Sequence, residues 1–264
     1  MNNVTFLIKC FERRSCVKRL VTSIRKYYPN TKIIIVDDSA EAVDFFEQYA
    51  DVEYIHTKFD IGLSAGRNLG LSRVSTPYFF LLDDDVVFTK KTDVRNAVSI
   101  LESKNLDMLG IDFYDFGLIR RNYKGFYGRD RNKLESCLDS QRNSLNGELD
   151  FILNCFLAKT DIREKISWDE CIKLGFEHDD YFLRAKELGI RIGHTSDVSI
   201  NHFPMFEKKY SQKRNCLAGY RQIFFEKHSI DYSFVKGSVF GFWGRIAMAL
   251  LSRLNKVHHL GPKS

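Results

Sequence analysis

Apolar runs of strand length alternate with helical spacings along the first 90 residues. Residues 4–8 (VTFLI region) and 32–36 (KIIIV) are nearly continuous apolar stretches, the signature of strands buried on both faces. Between them Val17, Leu20, Val21 and Ile24 recur on one side of a helix predicted over 13–28, which Pro29-Asn30 stops. A short helix over 42–49 and a strand over 52–56 follow. Gly62 to Asn68 opens another helix, with Ser64 as its expected N-cap. Pro77 then starts a strand that runs into Asp83. This rhythm predicts a mostly parallel sheet covered by helices.

The pattern changes after a helix predicted over 91–102. Residues 106–127 alternate, are rich in aromatics and carry Gly110, Gly117 and Gly125, which reads as antiparallel strands and turns. Residues 129–149 are polar and weakly periodic, the expectation being a loop over the site. A strand over 150–158, a short helix capped by Asp161, a helix over 179–188 with Tyr181, Phe182 and Leu188 on its apolar face, and a short strand over 198–202 complete the body. Two further helices are expected, a basic one over 213–228 and an amphipathic one over 239–257. The second aligns Val239, Trp243, Ile246, Leu250, Leu254 and Val257.

Composition narrows the class. With 264 residues and 44% hydrophobic content the chain can bury a full core, and 22 Phe and 12 Tyr against 4 Pro exclude disorder. The formal charge of +6 is uneven: from Glu207 onward basic residues outnumber acidic ones 11 to 3. The expected organisation is a body at 1–205 and a basic helical extension at 206–264. That extension suits an anionic membrane surface, a core-closing contact or a homo-oligomer contact. Nucleic acid is not an expected partner, because the body lacks interleaved basic and aromatic residues. Six cysteines without a CxxC pair suggest reduced thiols. Neither a signal pattern nor an 18-residue apolar run is present, so the expected location is cytoplasmic, with peripheral attachment to the inner face of a membrane as the role of the tail.

Three acidic clusters fall at strand ends or helix starts: Asp37/Asp38, Asp83-Asp84-Asp85, and Glu177 to Asp180. Ligand sites of open α/β sheets lie at the carboxyl edge of the strands. Clustered carboxylates repel unless a cation compensates them, which makes the triplet a candidate Mn²⁺ or Mg²⁺ site. Arg67 is placed to balance these acids or to touch a phosphate. Glu177, His178 and Asp179 each have the chemistry of a general base, and His202 at a strand end can offer an imidazole to a metal. Neither GxGxxG nor GxxxxGKS occurs.

Taken in order, these segments resemble the family 2 glycosyltransferases of the GT-A fold. IIIVDDS at 33–39, GLSAGRNLG at 62–70, LDDD at 82–85, the acidic helix at 175–184 and the strand ending in His202 carry the resemblance, which covers about residues 3–205. The stretches at 6–29 and 59–72 and the Glu177-His178 pair are similar to the ganglioside β-1,4-N-acetylgalactosaminyltransferases. The resemblance implies a UDP-sugar donor, GalNAc favoured, and an oligosaccharide or glycolipid acceptor. It also implies nucleotide contacts from Asp37, Asp38, Arg67, Asp83 and Asp84. Asp85, His202 and Asp83 would hold the metal, with Asp85 the foremost ligand of the triplet. Transfer would invert the anomeric centre and give a β linkage.

The chain departs from the family at the base. Where many relatives carry Glu-Asp, it has Glu177-His178 followed by Asp179, and Asp179 is favoured with Glu177 and His178 open. Rival classes are a sugar-phosphate nucleotidyltransferase and a noncatalytic nucleotide-sugar or glycan-binding protein. The first is disfavoured because residues 8–16 contain Lys9, Arg13 and Arg14 but no glycine.

Overall fold

The computed structural model describes residues 2–204 and 217–240. Strands β1 (Val4–Cys10), β2 (Ile33–Asp37), β3 (Val52–His56) and β4 (Tyr78–Asp83) alternate with α1 (Arg14–Tyr27) and α2 (Leu63–Ser72), with a 3-10 helix at Asp44–Gln48. After β5 (Val86–Val87) come α3 (Val94–Ser103), β6 (Met108–Asp115), β7 (Ile119–Arg121), β8 (Gly125–Asp130), β9 (Lys133–Leu138) and β10 (Phe156–Lys159). A second 3-10 helix (Thr160–Glu164), α4 (Glu177–Glu187), β11 (Ile192–His202), α5 (Leu217–His228) and β12 (Tyr232–Lys236) follow.

Two mixed sheets result. The larger runs β3-β2-β1-β4-β10-β6-β11-β5, with β7 on β6, and the smaller runs β12-β9-β8. Strands β3, β2, β1 and β4 are mutually parallel, and β10 lies antiparallel between β4 and β6. Because β10 inverts the direction twice, β4, β6 and β11 all end at the same edge. The register then places Cys10 beside Asp37, Lys9 beside Asp83, and Asp115 beside His202.

Successive side chains of a strand face opposite sides, and β1 uses both for packing. Phe6 and Ile8 meet Val17, Leu20 and Ile24 of α1 in one core layer. Leu7 joins Ile34, Val36, Phe79 and Leu71 of α2 in the other. Truncating a fully buried member such as Phe80 to alanine costs about 3–5 kcal/mol. This two-sided burial is why β1, β2 and β4 are written as nearly continuous apolar runs.

Several expectations need correction. Ser64 is not the N-cap of α2; Gly62 occupies that position, and Ser64 sits inside the helix donating to the Ile172 carbonyl at 2.6 Å. Residues 129–149 are not simply a loop, since β9 pairs with both β8 and β12. The expected strand over 150–158 is confined to Phe156–Lys159, and the late short strand begins at Ile192. A register irregularity between Thr195 and Ser199 breaks that strand's alternation, which hid its first half. Asp161 lies within its 3-10 helix and does not cap it. Leu188 is 53% exposed, so the apolar face of α4 ends at Ala185. The basic helix is described from Leu217, and the amphipathic pattern over 239–257 lies outside the described residues beyond Phe240. Among the described residues, no helix is long and apolar enough to cross a membrane.

Candidate active site

The carboxyl edge of β1 and β2 is built around two buried acids. Asp37 accepts hydrogen bonds from the Ser39 N–H at 2.9 Å, the Ser39 hydroxyl and the Tyr54 hydroxyl at 2.8 Å. Burial and the hydrogen bond to Asp37 push the Tyr54 hydroxyl well above its usual pKa, so it remains a donor. Asp38 accepts from the Gly62 N–H at 3.0 Å and from the Lys9 ammonium. Gly62 has φ +96°, a conformation suited to glycine. Gly66 makes room for the lysine: a Cβ there would lie 2.2 Å from Lys9 Cε. The glycines of GLSAGRNLG thus let α2 approach β1 while Lys9 reaches Asp38. Lys9 was missed as a site residue, although a lysine inside the apolar run FLIKC signals a buried counter-charge.

The strand end at Asp83-Asp84-Asp85 sends its three carboxylates to different partners. Asp83 faces Arg67 at 3.5 Å and is partly exposed. Asp84 is buried against the Arg13 guanidinium. Burial, reinforced by Asp85 and Asp83, outweighs Arg13 and raises the Asp84 carboxyl to about 8. Asp85 accepts from Arg13 at 2.6 Å and faces His202 Nε2 at 3.3 Å. Burial opposes its charge, but His202 and Arg13 hold its pKa below the ordinary carboxylate value. Arg13 thus contacts two of the three acids, and its charge prevails at Asp85 while burial prevails at Asp84.

Arg67 belongs to the same cluster. It is 2% exposed, faces both Asp83 and Glu177 at 3.5 Å, and lies over the Trp168 ring at 5.7 Å. Trp168 in turn stacks on Tyr181 of α4, centroids 4.5 Å apart. Arg67 is thus a buried cation joining Asp83 at the strand end to Glu177 at the start of α4.

His202, at the end of β11, stands between two carboxylates. Its Nδ1 donates to Asp115 Oδ1 at 2.6 Å, while Nε2 faces Asp85. Asp115 is fully buried and also accepts two bonds from Arg121, at 2.8 and 2.9 Å. Burial works against the His202 cation, yet Asp115 and Asp85 raise its pKa above the usual imidazole value. Asp115 and Arg121 were missed; an acid ending an aromatic strand (IDFYD) resembles the other strand-end acids, but only the fold places it beside His202.

The first turn of α4 separates its four polar residues. Glu177 is buried on Arg67, and His178 donates Nε2–H to the Ile152 carbonyl at 2.6 Å. Asp179 accepts from the Tyr127 hydroxyl at 3.0 Å through Oδ1 and is 24% exposed. Asp180 is fully buried and bound by Arg184, Lys227 and His228, which excludes it as an accessible base. Among the described residues, no group of three His, Cys, Asp or Glu side chains is gathered closely enough to hold a metal alone. Asp85 and His202 face one another, whereas Asp83 turns toward Arg67.

The sequence profile of glycosyl transferase family 2 matches residues 5–166, more than half of the chain. The chain belongs to this family. It is 34% identical to mouse β-1,4 N-acetylgalactosaminyltransferase 2 over 211 residues, which cover 76% of the chain and 39% of that protein. Human β-1,4 N-acetylgalactosaminyltransferase 1 is 33% identical over 211 residues, 75% and 38% of the two chains. The chain thus spans about two fifths of the length of these curated relatives. Among solved structures it is similar to residues 1–349 of TarS from S. aureus in complex with UDP-GlcNAc. The TM-score is 0.59 at 14% identity, over 79% of this chain and 60% of TarS 1–349. At that identity the likeness concerns the fold alone.

Proposed function

We propose that this family 2 member is an inverting, metal-dependent transferase of GT-A architecture. It moves a sugar, GalNAc first, from a UDP-sugar to a hydroxyl of an acceptor glycan with β linkage. The observation that carries the reading is the facing pair Asp85 Oδ1 and His202 Nε2 at 3.3 Å, with the other imidazole nitrogen committed to Asp115. Two lone pairs facing at that distance repel unless a cation or proton lies between them, and the spacing suits neighbouring ligands of one small metal ion. The donor set, one carboxylate and one imidazole, fits Mn²⁺ or Mg²⁺ when diphosphate oxygens and water complete the shell. A metal held there offsets the charge that develops on UDP as it leaves.

The chain's own residues perform the remaining work. The Asp37 and Asp38 edge receives the nucleotide, with Lys9 and Tyr54 keeping both carboxylates in place. Arg67 and Asp83 border the sugar. Asp179, whose Oδ2 is left over by Tyr127, takes the acceptor hydroxyl proton. The oxygen then attacks the anomeric carbon as the bond to UDP breaks on the opposite face. Glu177 positions Arg67, and His178 anchors α4 to the Ile152 carbonyl. The names of the relatives support GalNAc as donor, and the fold likeness to TarS with UDP-GlcNAc supports a UDP-sugar.

The test is hydrolysis and transfer across a panel of UDP-sugars with Mn²⁺, in wild type and Asp85→Asn. Metal-dependent turnover, greatest with UDP-GalNAc and lost by at least about 100-fold in a folded Asp85→Asn protein, is expected. Metal-independent turnover, or near-normal turnover of the variant, would refute the metal assignment.

A further inference from the structure

We infer that Asp115, held by Arg121, is a positioning residue that sets the tautomer of His202 and aims its Nε2 at the cation. This rests on the proposed metal site and goes beyond it, because neither residue was among the candidate ligands.

The geometry is a chain of three contacts. Arg121 donates through Nε and Nη2 to the two oxygens of Asp115, at 2.9 and 2.8 Å. Such a paired contact fixes the plane of the carboxylate as well as its position. Asp115 Oδ1 also accepts Nδ1–H of His202 at 2.6 Å. A carboxylate has no proton to donate, so Nδ1 must carry one, and whenever the imidazole is neutral its lone pair is on Nε2. Nε2 is the nitrogen that faces Asp85. A metal-ligating histidine commonly donates its second nitrogen to a carboxylate, and loss of that partner weakens metal affinity 10- to 100-fold.

The surrounding structure explains why the triad is rigid. Asp115 and His202 are partners in the register of the parallel strands β6 and β11, so the backbone ladder sets their separation. Arg121 comes from β7, the strand that folds back on β6, where Asp115 is paired with Ile119. The guanidinium lies over Phe113 at 5.5 Å and Phe240 at 5.7 Å, and the Phe113 ring also packs on the His202 ring at 4.7 Å. Phe240 is delivered by a backbone bridge to Arg121, and Asn122 N–H donates to the Val239 carbonyl at 2.7 Å. Asp115 is thus walled in by protein, and the imidazole edge that it does not use is the one presented to Asp85.

The rival arrangement has the same contacts without a metal: a doubly protonated His202 bridging Asp85 and Asp115 as a structural ion-pair triad. The two differ in what occupies Nε2. Mn²⁺ binding to the full chain in the presence of UDP, followed by electron paramagnetic resonance, separates them without requiring turnover. Asp115→Asn should bind Mn²⁺ about 10- to 100-fold more weakly than wild type, while binding UDP alone with unchanged affinity. Arg121→Gln should give the same sign with a smaller effect. Equal Mn²⁺ affinity in wild type and Asp115→Asn would overturn the positioning role and leave the metal site standing. Absence of Mn²⁺ binding by wild type with UDP would overturn both.

A measurement on the wild-type protein covers the case in which the variants do not fold. The ¹⁵N resonances of His202, recorded with Mg²⁺ and UDP, should show a protonated Nδ1 and an unprotonated, metal-shifted Nε2. A proton on Nε2 under those conditions would overturn the inference.

Discussion

Replacing Asp180 by alanine should destabilise the protein strongly while leaving the proposed donor and metal residues intact. Asp180 is fully buried in the first turn of α4. Arg184 donates to it at 2.9 and 2.7 Å, His228 at 2.9 Å, and Lys227 lies 2.7 Å away. Arg184 belongs to the same helix, whereas Lys227 and His228 belong to α5, so this carboxylate pins α5 onto the helix that carries Glu177 and Asp179. Charge-assisted bonds of this kind are worth about 1.5–3 kcal/mol each. Their sum overstates the loss, because Arg184 and Lys227 are 23% and 32% exposed and can turn to water. Breaking a buried pair by removing one partner costs about 3–5 kcal/mol. At roughly 2–4 °C per kcal/mol, Tm at pH 7 should fall by about 6–20 °C.

The pH dependence gives a second readout of the same group. Burial opposes the Asp180 charge, but His228, Arg184 and Lys227 overcome it and hold the carboxyl far below its ordinary value. The unfolded chain therefore binds this proton first as pH falls. The contribution is fully present above the unfolded pKa of about 3.9 and is lost as pH drops toward the folded value. The gap between the melting curves of wild type and Asp180→Ala, recorded from pH 7 to pH 3, should be constant down to about pH 4 and begin to narrow below it. A Tm difference within about 2 °C at pH 7, or a gap that stays constant down to pH 3, would refute the reasoning.

Three further outcomes are expected. Gly66→Ala should gain about 1 kcal/mol from helix propensity, but its Cβ would lie 2.2 Å from Lys9 Cε and must move that side chain off Asp38. UDP affinity measured by calorimetry should therefore fall at least about tenfold, roughly 1.4 kcal/mol; a higher Tm with unchanged UDP binding would count against the packing argument. Tyr127→Phe removes the donor to Asp179 at a buried ring position. Losing about 1 kcal/mol should lower kcat by about fivefold in steady-state assays with KM for the donor unchanged. Arg67→Met leaves the buried Glu177 without its cation. Chemical denaturation should show a loss of about 1–3 kcal/mol, and Glu177→Gln in that background should recover part of it.

The strand-and-helix order of the first 90 residues was legible because two-sided burial leaves a direct trace: β1, β2 and β4 are nearly continuous apolar runs, and α1 shows one apolar side. The acids at the ends of β2 and β4 and at the start of α4 were legible too, since charge abutting an apolar run has no place in the core unless it is paired. Strand β9 was not. Its sequence KLESCL buries only Leu134 and Ser136, on one face, and its hydrogen bonds go to β8 and to β12, almost 100 residues later.

The amino-acid sequence by itself determined the family, the buried sheet and the set of chemically capable residues: Asp37, Asp38, Asp83 to Asp85, Glu177 to Asp179 and His202. Only the tertiary structure decided how they divide. Side-chain partners depend on which strand ends meet, and those are set by long-range register: Lys9 goes to Asp38, Arg13 to Asp84 and Asp85, and Arg67 to Asp83 and Glu177. The same register sets Asp115, from β6, beside His202, from β11, although 86 residues separate them between positions 115 and 202. No local pattern encodes that contact, because it arises where two strands distant in sequence run in parallel to a common edge.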